Sequence, residues 1–170
     1  MKRILVLLCM TFALGLTGAM ADDKKTEIQF PKDYKSGSLY FAGDRLSPND
    51  SQTIRIYAND IALKGMKKDG KLPYGSVLTA EVYKAKKDKD GEVIESAIDR
   101  RIRGKFAAVA VMERIKGAGE KWKGDLNNGD WDFAIFKPDG SPAKKDLAKC
   151  AACHAPLTDS QHIFSLEHIQ

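Results

Sequence analysis

Phe106-Ala107-Ala108-Val109-Ala110-Val111-Met112 is an unbroken apolar run set between Lys105 and Glu113. Such a run marks a strand buried on both faces, and Trp131 to Phe136 reads as a second. Working outward, Thr53-Ile54-Arg55-Ile56-Tyr57 alternates. With a side-chain period of two, Ile54 and Ile56 fall on one face and Arg55 and Tyr57 on the other. Ser76 to Tyr83 and Val93 to Arg101 read as the arms of a hairpin about Asp90-Gly91. Leu39 to Leu46 adds a strand, closed by the turn Ser47-Pro48-Asn49-Asp50. Helices are fewer: a short one over Pro31 to Lys35, and one over Asp60 to Lys68, capped by Asn59 and ending near Asp69-Gly70. The expected fold is α+β, a mainly antiparallel sheet with a few helices and a C-terminal helix packed near it. No internal repeat or low-complexity segment interrupts it.

The C-terminal helix carries the chemistry. Ser141 is a good N-cap, Pro142 suits the first helical position, and Pro156 cannot continue the helix. Between them lies Cys150-Ala151-Ala152-Cys153-His154, two thiols three apart with a histidine directly after the second. Positions three and four apart share a helix face, so Cys150, Cys153 and His154 point the same way. That is the attachment sequence of a c-type haem: the two sulfurs bond the vinyl groups and His154 is the iron ligand. Two other readings use the same residues. A redox disulfide needs a thioredoxin-like βαβ setting, absent here, and leaves His154 idle. A zinc site from Cys150, Cys153, His162 and His168 leaves eight residues between the pairs, where zinc fingers usually have about twelve.

At the other end, Lys2 and Arg3, the apolar run Ile4 to Leu16, and Ala19-Met20-Ala21 form a secretory signal over residues 1–21. The run is too short to span a bilayer and is followed by Asp22, Asp23, Lys24 and Lys25, so no membrane anchor is expected. Cys9 leaves with the leader. Residues 22–170 then form a single exported, periplasmic domain. Of the 170 residues, 28 are Lys or Arg and 23 Asp or Glu, a net charge of +5 that falls when Lys2 and Arg3 are removed. No nucleic-acid partner is implied. The densest basic cluster, Lys84 to Lys89, is interrupted by acids and reads as a solvated hairpin tip, or as a docking patch for an acidic redox partner protein.

Several stretches taken in chain order resemble the cytochrome P-460 family and its relatives, the cytochromes c′-beta. They are Phe30 to Tyr34, Leu46 to Asn49, Ile54 to Tyr57, Gly75-Ser76-Val77, Met112-Glu113, Trp131 to Phe136, Cys150 to His154 and Ile163-Phe164. The haem motif alone is common to every c-type cytochrome, so the order and spacing of the rest carry the likeness. The resemblance implies a homodimer of mainly antiparallel β structure with one covalent haem c, five-coordinate through His154. It implies an open distal side, where relatives bind nitric oxide or oxidise hydroxylamine. It also implies a distal pairing of Arg55 and Glu113, with Glu113 as a base and Arg55 holding it or the bound nitrogen ligand. The ordinary reading of both is structural: Arg55 on the wet face of a half-buried strand, Glu113 where a buried strand emerges. Phe41 and Phe106 are candidates to cap the iron.

One position departs from the oxidising relatives. Their lysine cross-linked to the macrocycle is replaced here by Ala80, and Lys84, about 13 Å along the strand, is too far to substitute. In this respect the chain is closer to cytochrome c′-beta. The alternative function is a six-coordinate electron carrier with a methionine or second histidine on the iron. No methionine follows the haem motif, leaving Met66, Met112, His162 and His168, and His162 is too close in sequence to His154 to reach the far side.

Overall fold

The computed structural model describes residues 26–45 and 51–169. The expected leader and the turn over residues 47–50 lie outside them. Seven principal elements follow in chain order: β1 (Ser38–Asp44), β2 (Gln52–Ala58), α1 (Asp60–Asp69), β3 (Val77–Ala85), β4 (Arg103–Arg114), β5 (Trp131–Phe136) and α2 (Ala148–His154). The strands form one antiparallel sheet in the order β1-β2-β3-β4-β5, each beside its neighbour in sequence. This is the expected α+β architecture.

The apolar run became the core of β4, but its two faces differ. Val109 and Val111 are wholly buried, whereas Ala108, Ala110 and Met112 are half-buried on the other side. The partner of β3 also differs from expectation. β3 pairs along its length with β4, from Val77 opposite Glu113 to Ala85 opposite Arg103, not with Val93–Arg101. The Asp90-Gly91 turn is real, with Gly91 at φ 88°, yet it closes only a short ladder. A second turn at residues 96–100, with Asp99 left-handed, folds the segment back again through Glu95 opposite Arg101. Two tight turns within this segment leave too little extended chain to match a nine-residue strand.

α1 begins and ends as expected. Asn59 Oδ1 accepts from the Ala62 and Val77 amides at 3.0 and 3.1 Å, while its Nδ2 donates to the Gly75 carbonyl at 2.9 Å. One side chain thus caps the helix and ties it to β3, worth about 1–2 kcal/mol. Gly70 ends the helix in the left-handed conformation, its amide bonded to the Met66 carbonyl.

Register sorts the sheet into two faces. Ile54, Ile56 and Ala58 share a side with Leu78, Ala80, Met112, Phe133 and Trp131; α1 and α2 pack there, around Ala62, Leu72, Ala151 and Ile163. The opposite side holds Val109, Val111, Ala134 and Phe136, covered by Ile28 and Phe30 of the N-terminal segment.

Candidate haem site

α2 starts later than its sequence signals suggest. Ser141 and Pro142 instead remain with β5: Pro142 bridges Phe136, and the Ala143 amide donates to the Ile135 carbonyl at 2.8 Å. The edge of the sheet competes successfully for these residues, and the first helical amide, Ala148 N, is met by Asp146 Oδ1 at 3.0 Å. The helix is short and pinned by Ala151, which is wholly buried. Cys150 packs half-buried against the core and Cys153 is exposed; both are free thiols. Burial pushes the Cys150 thiol above its ordinary pKa, with the charge of Arg45 acting the other way.

His154 is held on three sides. Its ring lies 5.4 Å from that of Phe133 on β5 and 5.0 Å, edge to face, from Phe164. Its Nδ1 stands 2.7 Å from the His162 carbonyl oxygen. A carbonyl can only accept, so Nδ1 carries the proton and Nε2 keeps a free lone pair. Burial lowers the imidazole below its ordinary value of 6.5 despite that bond, which favours the neutral, metal-ligating form. His162 returns the contact, its Nδ1 donating to the His154 carbonyl at 3.3 Å.

The sheet beneath α2 is apolar at its centre. Ile56, Ala80, Ala110 and Ile135 are consecutive partners across four strands, flanked by Ile54 and Ala108, and all six are only half-buried. Small and aliphatic side chains left partly uncovered in mid-sheet form a flat floor able to pack against a large planar apolar group.

The family described as cytochrome P460 matches residues 31–165, most of the chain. This chain is a cytochrome P460 family member. No curated protein matches it. Membership brings a haem cofactor, and the residues fit one. Two free thiols and a neutral histidine share one short helix, and that helix packs on the face that carries the apolar floor.

Arg55 and Glu113 do not join this group. Both occupy the opposite face, since Arg55 pairs with Glu81 and Glu113 lies between Val77 and Asp132. The sheet lies between them and His154: alternation puts them on the side that Ile54 and Ile56 leave. Arg55 Nη1 lies 3.6 Å from Glu81 Oε2, and Glu81 is wholly buried, receiving Tyr34 and Tyr83 hydroxyls at 2.8 and 3.0 Å and Lys35 Nζ at 2.9 Å. Burial alone would raise the pKa of Glu81, but these donors outweigh it and hold the carboxyl below its ordinary value. For Glu113 burial prevails, reinforced by the negative charge of Asp132, and its pKa is raised.

Of the two candidate aromatic caps, Phe41 lies on the α2 face, opposite Ile56, with its ring 5.0 Å from that of His168. Phe106 stacks on Tyr83 at 5.0 Å on the other face. Met66 and Met112 pack against the core. Among the described residues, which include Cys150, Cys153, His162 and His168, no three His, Cys, Asp or Glu side chains gather as a metal cluster would.

Two parts of the site had no sequence signal. One is the small floor of Ala80, Ala108 and Ala110, visible only once register is known. The other is Gln161, which anchors the loop that meets His154.

Proposed function

We propose that this protein is an exported mono-haem c-type cytochrome that binds nitric oxide or a related small nitrogen ligand at an open distal side. The haem is attached through Cys150 and Cys153, and His154 Nε2 is the only protein ligand to its iron. The protein works as a periplasmic homodimer after loss of residues 1–21, exchanging electrons, where it does so, with a soluble partner protein. The bound haem supplies an iron that takes up the ligand; the chain's own part is to hold His154 neutral and oriented and to keep water from the apolar floor.

The observation that carries this reading is the composition of that floor. Ile54, Ile56, Ala80, Ala108, Ala110 and Ile135 include no side chain able to coordinate iron, and Met112, next along that face, packs against the core. Ala80 also bears on activity. It sits at the middle of the floor, between Ile56 and Ala110, where a lysine would project toward the α2 face. Lacking that lysine, the haem keeps an ordinary c-type absorption spectrum and hydroxylamine oxidation is slow or absent, the behaviour of a cytochrome c′-beta. Ala80→Lys is the variant that would bring a cross-link within reach.

The test is the absorption spectrum of purified ferric and ferrous protein, with denaturing mass spectrometry beside it. The expected result is one haem retained on the mature chain, high spin in both states, with nitric oxide and carbon monoxide bound when ferrous; the Cys150→Ala/Cys153→Ala double variant keeps none after denaturation. The bare polypeptide mass after expression with a haem-maturation system would sink the proposal. One observation favours a second reading, the six-coordinate electron carrier: His168 lies against Phe41, on the α2 face. A low-spin ferrous spectrum that becomes high spin in His168→Ala would establish it instead.

A further inference from the structure

Resting on the haem reading above, we infer that Gln161 is a positioning residue for the iron ligand: it holds the turn whose carbonyl receives the His154 Nδ1 proton, and so governs how strongly Nε2 binds. Gln161 and His162 are consecutive left-handed residues, at φ 53° and 64°, and neither is glycine. L-residues avoid that region, so such a pair persists only where surrounding contacts enforce it. Here the contacts converge on Gln161. Its Oε1 accepts from the Leu72 amide and its Nε2 donates to the Gly70 carbonyl, both at 2.9 Å. With one backbone donor and one backbone acceptor as partners, the amide has only one orientation that satisfies both. Its own carbonyl accepts from Trp131 Nε1 at 3.0 Å, and its amide donates to the Thr158 carbonyl at 3.2 Å. The next amide, His162 N, donates to the Leu157 carbonyl at 2.7 Å.

The loop below His154 is thereby bolted to two fixed parts of the fold: the connection after α1, where Leu72 is wholly buried, and the core of β5. The group this arrangement presents to His154 Nδ1 is the His162 carbonyl, at 2.7 Å. A strong acceptor on Nδ1 increases the electron density available at Nε2, and outer partners of a metal-ligating histidine commonly alter binding by about tenfold or more. Once the side-chain bonds of Gln161 are lost, the left-handed pair can relax, the carbonyl swings away, and the histidine becomes a weaker ligand.

The experiment compares haem-loaded full-length protein with Gln161→Leu and Gln161→Gly. The first removes both side-chain bonds at similar volume; the second removes them while easing the left-handed conformation. The readouts are the iron–histidine stretching frequency of the ferrous protein by resonance Raman, the reduction potential, and the fraction of the nitric oxide adduct that loses its histidine. In Gln161→Leu the stretch should fall, the potential rise and the five-coordinate adduct increase; Gln161→Gly should shift all three less. Gln161→Leu protein that holds its haem with unchanged stretch and potential overturns the inference alone. Should Gln161→Leu fail to fold, Trp131→Phe, which removes the indole donor to the Gln161 carbonyl together with part of a buried ring, must lower the stretch or the inference falls. A wild-type protein without haem, or low spin when ferrous, overturns the parent reading and this one with it.

Discussion

On the α2 face, the middle of β2, β3 and β4 presents Ile54, Ile56, Ala80, Ala108 and Ala110; on the reverse, the same strands present Arg55, Glu81 and Glu113. Both faces are covered, but by different means. The first relies on apolar contact with α1, α2 and the C-terminal loop, and its mid-sheet floor remains half-buried. The second sinks a carboxylate completely and surrounds it with two tyrosines and two cations. Charge tolerated on one side of a strand thus says nothing about the other side, one residue away along the chain. The half-buried apolar surface lies on the first face, and the buried carboxylate of the second is held by its own donors.

If that division is right, the largest stability loss should come from truncating the α2 face. Trp131 is almost wholly buried there and donates to Gln161. Trp131→Ala removes that bond and leaves a cavity among Leu72, Phe133 and Ile163, so denaturant unfolding should show a loss of about 3–5 kcal/mol. A loss below about 1 kcal/mol would mean that this cluster is not the main core. Haem retention should fall with it, because the same residue helps hold the loop below His154.

Next in size is Glu81→Ala on the reverse face. Tyr34 and Tyr83 lose their acceptor, while Lys35 is 62 % exposed and stays solvated, so the expected cost is about 1–3 kcal/mol. The pH dependence has a definite sign. The folded-state pKa of Glu81 lies below the ordinary 4.5, so its contribution is present above pH 4.5 and is lost as pH falls through the lower folded value. The acid side of the stability profile should therefore be flatter in Glu81→Gln than in wild type. An unchanged acid limb would show that Glu81 is not held ionised by its neighbours.

Much of this division could be read from residue order. Alternation assigned Ile54 and Ile56 to one side and Arg55 and Tyr57 to the other, and the bounds of β5 and the cap of α1 followed from local chemistry. Alternation does not say which side a distant helix will take. For that reason the sequence did not show that Arg55 and Glu113 lie across the sheet from the helix that carries His154. The pairing of β3 failed for a related reason: Asp90-Gly91 is a strong local turn, but the longer apolar strand beyond it offers more ladder and more burial. Gln161 was illegible because its role depends on two left-handed residues and a reach of 89 positions to Leu72.

The smallest effect is expected at Glu113, where it is also the most discriminating. Burial, then Asp132, raises its pKa, so the folded protein holds this proton more tightly than the unfolded chain. Stability from this group is therefore greatest below pH 4.5 and declines with rising pH as the carboxyl ionises in the folded protein. Glu113→Gln keeps the shape and removes that charge. It should stabilise the protein at pH 7 by less than about 1 kcal/mol, given solvent screening at a half-buried site, and the gain should vanish at pH 4. Urea midpoints at the two pH values measure this directly. Nitric oxide affinity should be unchanged, since the sheet lies between Glu113 and the α2 face. A Glu113→Gln protein that gains no stability at pH 7 but loses hydroxylamine turnover would return the carboxylate to the iron and erase the distinction between the two faces.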